Sequence, residues 1–411
     1  MNARHLPDSR YAWWRLAAAL AAMTLGSSAM YVVAVVLPAA QAEFGVARAD
    51  ASLPYTLLML GFGFGGLALG RLADRLGVAW VLRLGALGAL LGYGLASRTG
   101  SIESFAIVHG LLLGAIGSAS AFAPLVADTA QWFVKRRGIA VAICASGNYV
   151  AGALWPPLVQ WGVETQGWRG AYTALGLVTG LGLLALSFAL RERPPAALVA
   201  GPANAGGGAR PFGLAPARAV VLLCVAGLAC CVAMAMPQVH IVAYCGDLGF
   251  GAARGAEMLS LMLACGIASR LISGAICDRI GGVRTLLLGS ALQGIALLMF
   301  LPADSLVSLY LVSALFGLFQ GGIVPSYAII VREHFPAAKA GAHTGAVLMA
   351  TLFGMALGGW MSGKVFDLTG SYHAAFVNGI AWNALNLAIA GWLWWRVRGG
   401  SGPRPLKEVP S

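Results

Sequence analysis

Arg270 is the residue whose type and position demand chemistry. It lies in the apolar segment Ala256–Cys277, eight residues before Asp278. In a membrane helix rising about 1.5 Å per residue, it would sit roughly 12 Å from that charged turn, near the bilayer centre. A guanidinium at that depth is expensive unless it faces a cavity or a partner. Its fork of N–H groups fits the two oxygens of a carboxylate, so the chemistry on offer is anion binding. The turn that follows, Gly274-Ala-Ile-Cys-Asp278-Arg279-Ile-Gly281, repeats Gly70-Arg-Leu-Ala-Asp74-Arg75-Leu-Gly77 at a spacing of 204 residues. At the position equivalent to Arg270 the first copy has Gly66, so the repeat alone does not require the arginine.

Other side chains could complete a pocket. Tyr31, Asn148, Tyr149 and Gln320 fall at mid-depth of apolar segments, where ligand contact and helix–helix hydrogen bonding are both open to them. His240 follows Pro237-Gln238 in a stretch expected to be irregular, to line the cavity and to serve substrate or gate. His109 reads as structural, and Asp128 falls near the end of its segment, within reach of Arg75 or Arg83. No nucleophile motif, phosphate loop or His/acid metal cluster supports an enzyme, and no cofactor is expected.

The elements that must hold these residues follow from composition. The 411 residues are 59% hydrophobic and 10% charged, with 56 glycines. Soluble domains carry about 25% charged residues, so lipid must solvate most of this surface. Twelve apolar runs are each long enough to span about 30 Å of hydrocarbon. They are Arg15–Ala39, Leu53–Leu72, Ala79–Ala96, Ser104–Gln131, Gly138–Trp161, Trp168–Leu190, Ala219–Tyr244, Ala256–Cys277, Thr285–Leu301, Leu306–Val331, Thr344–Ser362 and Ala374–Trp395. Lipid leaves no partner for an unpaired backbone group, so the runs are helices and the class is an all-α membrane protein.

Of the 27 Lys and Arg residues, Arg48, Arg98, Arg169, Arg254 and Lys364 fall on one side, Arg270 falls in mid-helix, and the rest fall on the other side. That bias places both termini in the cytoplasm and accounts for the +12 net charge without nucleic acid. The first run precedes an Ala40-Gln41-Ala42 string but is too long for a cleaved leader, and it matches the run near Ala219. The seven cysteines lie in or beside helices without metal spacing and read as packing residues. The chain divides into residues 1–190, a Pro/Gly/Ala-rich cytoplasmic linker 191–218, residues 219–396 and a tail 397–411. Pro124 and Pro325 recur late in the fourth helix of each half.

Over essentially its whole length the chain resembles the major facilitator superfamily. The Gly-x-Leu-Ala-Asp-Arg-x-Gly turn carries the likeness, although Val78-Ala79 replace the usual basic pair. Within it, the nearest resemblance is to the monocarboxylate transporter and oxalate–formate antiporter group. Glu43-Phe44-Gly45-x-x-Arg48, Trp132-Phe133-x-Lys135-Arg136-Arg137-Gly138-x-Ala140 and Ser269-Arg270-x-x-x-Gly274-x-x-x-Asp278-Arg279-x-Gly281 carry that subgroup likeness.

The resemblance implies two pseudo-symmetric six-helix halves, with Arg270 binding a substrate carboxylate. It implies a gate at Gly70, Asp74, Arg75, Gly77, Gly274, Asp278, Arg279 and Gly281, completed by Asp128. It also sets the Gly61/Gly65, Gly66/Gly70, Gly354/Gly358 and Gly359/Gly363 stripes where helices 2 and 11 meet. The antiporters' second basic residue in helix 11 is missing from Leu348–Gly358, so one fixed cation favours a monoanion. The expectation is a monomeric inner-membrane transporter of a small organic anion, a monocarboxylate. It would work by alternating access, with proton symport first and exchange second. Efflux of a hydrophobic or drug-like solute and a non-transporting sensor are the rival readings.

Overall fold

A computed structural model describes residues 7–193 and 211–398. These form helices and connecting turns, with no strand among the described residues. Among the described residues, eleven helices are long and apolar enough to cross a membrane. The longest, Arg137–Ala189, has 53 residues. At about 1.5 Å per residue it would run roughly 80 Å, far beyond one crossing. It turns back at Gly167, whose φ of 72° an L side chain rarely adopts, so it is two helices and the described residues make twelve crossings.

We number them α1 Arg10–Phe44, α2 Arg48–Leu76, α3 Val78–Ala96, α4 Ile102–Trp132, α5 and α6 before and after Gly167, and α7 Pro216–Asp247. The rest are α8 Ala252–Ile280, α9 Gly282–Phe300, α10 Leu306–His334, α11 Lys339–Thr369 and α12 Tyr372–Arg398. Much of the linker expected at 191–218 and of the tail expected at 397–411 lies outside the described residues.

The two signature turns are built alike. α2 ends at Gly77 with φ 91°, and α8 ends at Gly281 with φ 84°. The paired prolines mark interruptions. α4 breaks at Phe122, two residues before Pro124, and α10 breaks at Gly321-Gly322, before Pro325. Proline in the first turn after a break forfeits no helical hydrogen bond, so the two fit together.

Small residues set the close packing within each half. A side chain at Gly61 or Gly65 of α2 would collide with the backbone of Gly110 or Ala115 on α4. One at Gly317 of α10 would meet the Met262 backbone of α8, and one at Gly354 or Gly358 of α11 would meet the backbone of α7. The outside is apolar: Trp80, Leu111, Trp161, Leu181, Phe188 and Leu311 are each more than half exposed, as lipid-facing side chains should be.

Candidate functional site

Both halves wall a central cavity of about 340 Å³. Arg270 reaches it from α8, Tyr31 from α1, and Asn148 with Tyr149 from α5. Arg270 is the one charged side chain among the described residues that line it. Its Nη1 donates to the Ala145 carbonyl of α5 (3.0 Å), and its guanidinium lies 4.4 Å from the Tyr149 ring centre. Its Nε is buried without a hydrogen-bond partner, and Arg270 makes no ion pair among the described residues. The cation therefore bridges the halves through neutral groups and keeps donor capacity for an anion. Beside it, Tyr31 donates to Asn148 Oδ1 at 2.6 Å, while the Asn148 amide meets only the weak acceptor Met30 Sδ at 3.2 Å. Gly66 lines the same cavity, and a Cβ there would meet no atom within 4 Å.

Two expected lining residues are placed elsewhere. Gln320 is fully buried behind the wall, where its Oε1 accepts from Gln238 Nε2 at 2.9 Å; Gln238 is the one that reaches the cavity. His240 is also fully buried and lies outside the lining. α7 is continuous through Pro237, so the irregular stretch expected there does not form. His240 Nε2 lies 2.8 Å from the Gly359 carbonyl, which can only accept; Nε2 therefore carries the hydrogen, and neutral Nδ1 accepts from the Tyr372 hydroxyl at 3.1 Å.

That hydroxyl belongs to a latch closing one end of the cavity. Arg48 Nη1 donates to the Tyr372 oxygen (2.8 Å), and Nη2 pairs with Asp247 (3.2 Å). The backbone N–H groups of Arg48 and Ala49 each donate to Asp367 at 2.8 Å. These are the first two orphan donors of α2, and Ala47 before them offers no capping side chain. A carboxylate of α11 thus caps a helix of the other half, where the helix dipole favours negative charge. Gly359 packs on Tyr55 and Gly363 on Ala49, completing the seal. Arg48 read from sequence only as an outer cation within a motif; its partners lie some 200 and 320 residues away, where no local pattern could reveal them.

The other end is open. Asp74, Arg75, Asp278 and Arg279 are exposed and form no ion pair among the described residues. A Cβ at Gly66, Gly70, Gly274, Gly341 or Gly345 would meet nothing within 4 Å. Asp128 does not join Arg75 or Arg83. It pairs with Arg15 of α1 at 2.7 Å, and Arg15 also stacks on Trp132. Arg83 instead approaches Ser187 Oγ at 3.4 Å, between the Trp80 and Phe188 rings. The cause is rotation about α4, which turns Asp128 inward toward α1 rather than outward to the turn. His109 sits in an aromatic nest, bonded to Phe105 O (2.8 Å) and the Tyr172 hydroxyl (3.0 Å), as a structural residue would.

Near this open end, Asp8 clasps the segment after α4. Its carboxylate accepts from the backbone N–H groups of Val134, Lys135 and Arg136 at 3.0–3.2 Å. Desolvation is the largest single influence and raises its pKa. The three N–H donors and the Lys135 charge together outweigh it and hold the carboxyl below its ordinary 3.8.

Twelve crossings around a shared, one-ended cavity define a polytopic membrane protein of the transporter class. Residues 17–359 and 246–410 match the Major Facilitator Superfamily, and the chain belongs to that family. Monocarboxylate transporter 13 of Rattus norvegicus is 30% identical over 308 residues, which are 74% of this chain and 71% of that protein. Monocarboxylate transporter 11 of Mus musculus is 28% identical over 394 residues, 90% of this chain and 85% of the relative. The solved structure of a bacterial homologue to the human lysosomal transporter Spinster, inward-facing and unoccupied, has a TM-score of 0.74. Its identity is 13%, with 97% of this chain and 100% of that one covered, so the likeness is one of fold.

Proposed function

We propose that this transporter carries a small organic monoanion, a monocarboxylate, across an inner membrane by alternating access. Arg270 carries the reading: it is the charged residue of the cavity wall, it faces no acid, and its fork suits a carboxylate. Tyr31, Asn148 and Tyr149 surround the same position. The bias of Lys and Arg assigns the open end, with its Asp-Arg turns, to the cytoplasm together with both termini. The geometry is then an inward-open state with the Arg48 latch shut. In the opposite state Asp74, Arg75, Asp278 and Arg279 come together as the latch parts. Proton symport is the first expectation for coupling and exchange the second.

The test is counterflow and uptake of labelled monocarboxylates in proteoliposomes, with and without a proton gradient. Arg270→Ala is expected to lower uptake by 10-fold or more, in line with about 1.5–3 kcal/mol for a charge-assisted hydrogen bond. Equal uptake by wild type and variant would refute the assignment. A monoanion flux indifferent to the gradient would select exchange.

A further inference from the structure

The cavity's polar and apolar groups are unevenly divided among the helices. Arg270, Asn148, Tyr149 and Tyr31, with Met30 beside them, belong to α8, α5 and α1. The lining from α2, α7 and α11 is led by Met59, Phe62, Met234, Met349, Leu352 and Met355. Polar atoms on this second wall are mostly committed already. The Thr351 hydroxyl donates to Leu348 O at 2.6 Å, and the Gln238 amide donates to Gln320. The Tyr55 hydroxyl and the Gln238 carbonyl oxygen are the exceptions.

We propose that the substrate is a monocarboxylate with an apolar body of about one aromatic ring, its carboxylate on Arg270 and its body against the methionine wall of α2, α7 and α11. The inference rests on the carboxylate reading above and adds the other half of the molecule.

A short hydroxy acid would satisfy Arg270 yet leave the methionine wall in contact with water. Filling that wall gains about 4-fold in affinity per buried methylene. Methionine is unbranched and polarisable, and its sulfur makes favourable contacts with aromatic edges. Phe62 and Phe122, both lining residues, already stand edge to face at 5.6 Å, so the wall offers an aromatic ring a surface of its own kind. A volume of about 340 Å³ sits at the small end of ligand cavities, which bounds the body to about one ring. The same arrangement separates this protein from a carrier of hydrophobic neutral solutes, because a neutral molecule would leave the guanidinium unpaired.

The experiment is direct binding to the purified full chain by calorimetry, with lactate, pyruvate, 4-methyl-2-oxopentanoate, phenylpyruvate and the neutral phenylacetamide. Phenylpyruvate and 4-methyl-2-oxopentanoate are expected to bind at least 10-fold more tightly than lactate and pyruvate. Met349→Gln and Met355→Gln should each shrink that ratio several-fold. Equal affinity for lactate and phenylpyruvate, with both lost in Arg270→Ala, overturns the apolar body and leaves the carboxylate reading standing. Phenylacetamide binding as tightly as phenylpyruvate overturns the carboxylate reading itself. An unchanged ratio in both methionine variants also refutes the proposed wall.

Discussion

Gly66 and Arg270 hold equivalent places in the two halves, and both face the same cavity. One is bare and the other a cation, so the charge of the compartment is set by a single position on one side of a pseudo-symmetric pair. Gly66→Arg tests whether that charge selects the substrate. A Cβ at Gly66 would meet nothing within 4 Å and the residue lines the cavity, so the variant should fold and bring a second guanidinium into it. We expect competition by dicarboxylates in counterflow to strengthen at least 10-fold relative to monocarboxylates; an unchanged ratio would show that charge is counted elsewhere. Four of the six residues read from sequence as pocket candidates do line the cavity, because depth along a helix can be counted from a charged turn. His240 and Gln320 have suitable depth but face away, and depth says nothing of direction around the helix.

At the scale of elements, the two glycine stripes on each of α2 and α11 have different surroundings. Gly61/Gly65 and Gly354/Gly358 lock each helix to its own half, while Gly359/Gly363 meet the other half at the latch and Gly66/Gly70 face open space. The stripes were visible in the sequence; which partner each would meet was not. The latch depends on Asp367 capping the start of α2, an interaction whose loss costs about 0.5–2 kcal/mol. Asp367→Ala should therefore raise the population open at the Arg48 end. Distances between spin labels across that end would report the shift; an unchanged distribution would mean that Arg48 alone holds it.

Asp8 offers a second elemental test. Its pKa is depressed in the folded protein, so its contribution is complete above the ordinary carboxylate value of 3.8 and is lost as pH falls through the lower folded value. Amide exchange at Val134, Lys135 and Arg136 should be slow at neutral pH in the wild type and fast in Asp8→Ala. Acidification below the lower folded value should erase that difference. Equal protection in both proteins at neutral pH would remove Asp8 as the clasp.

The whole molecule combines a sealed end, a shared cavity and an end whose charged turns stand apart. Its net charge of +12 and apolar exterior belong to the membrane setting, and Arg270 belongs to the cavity inside it. The repeat, the number of crossings and the odd arginine were legible in the sequence alone. Lipid enforces them through residue type summed along a helix, and such sums need no knowledge of neighbours. Only tertiary structure decided that Asp128 meets Arg15, that His240 belongs to the latch, and that four of the five cavity-lining methionines gather on one wall. The physical reason is that a membrane helix is apolar on both its lipid face and its packed face. Hydrophobicity then fixes where each residue lies in depth but carries almost no signal for the way it points.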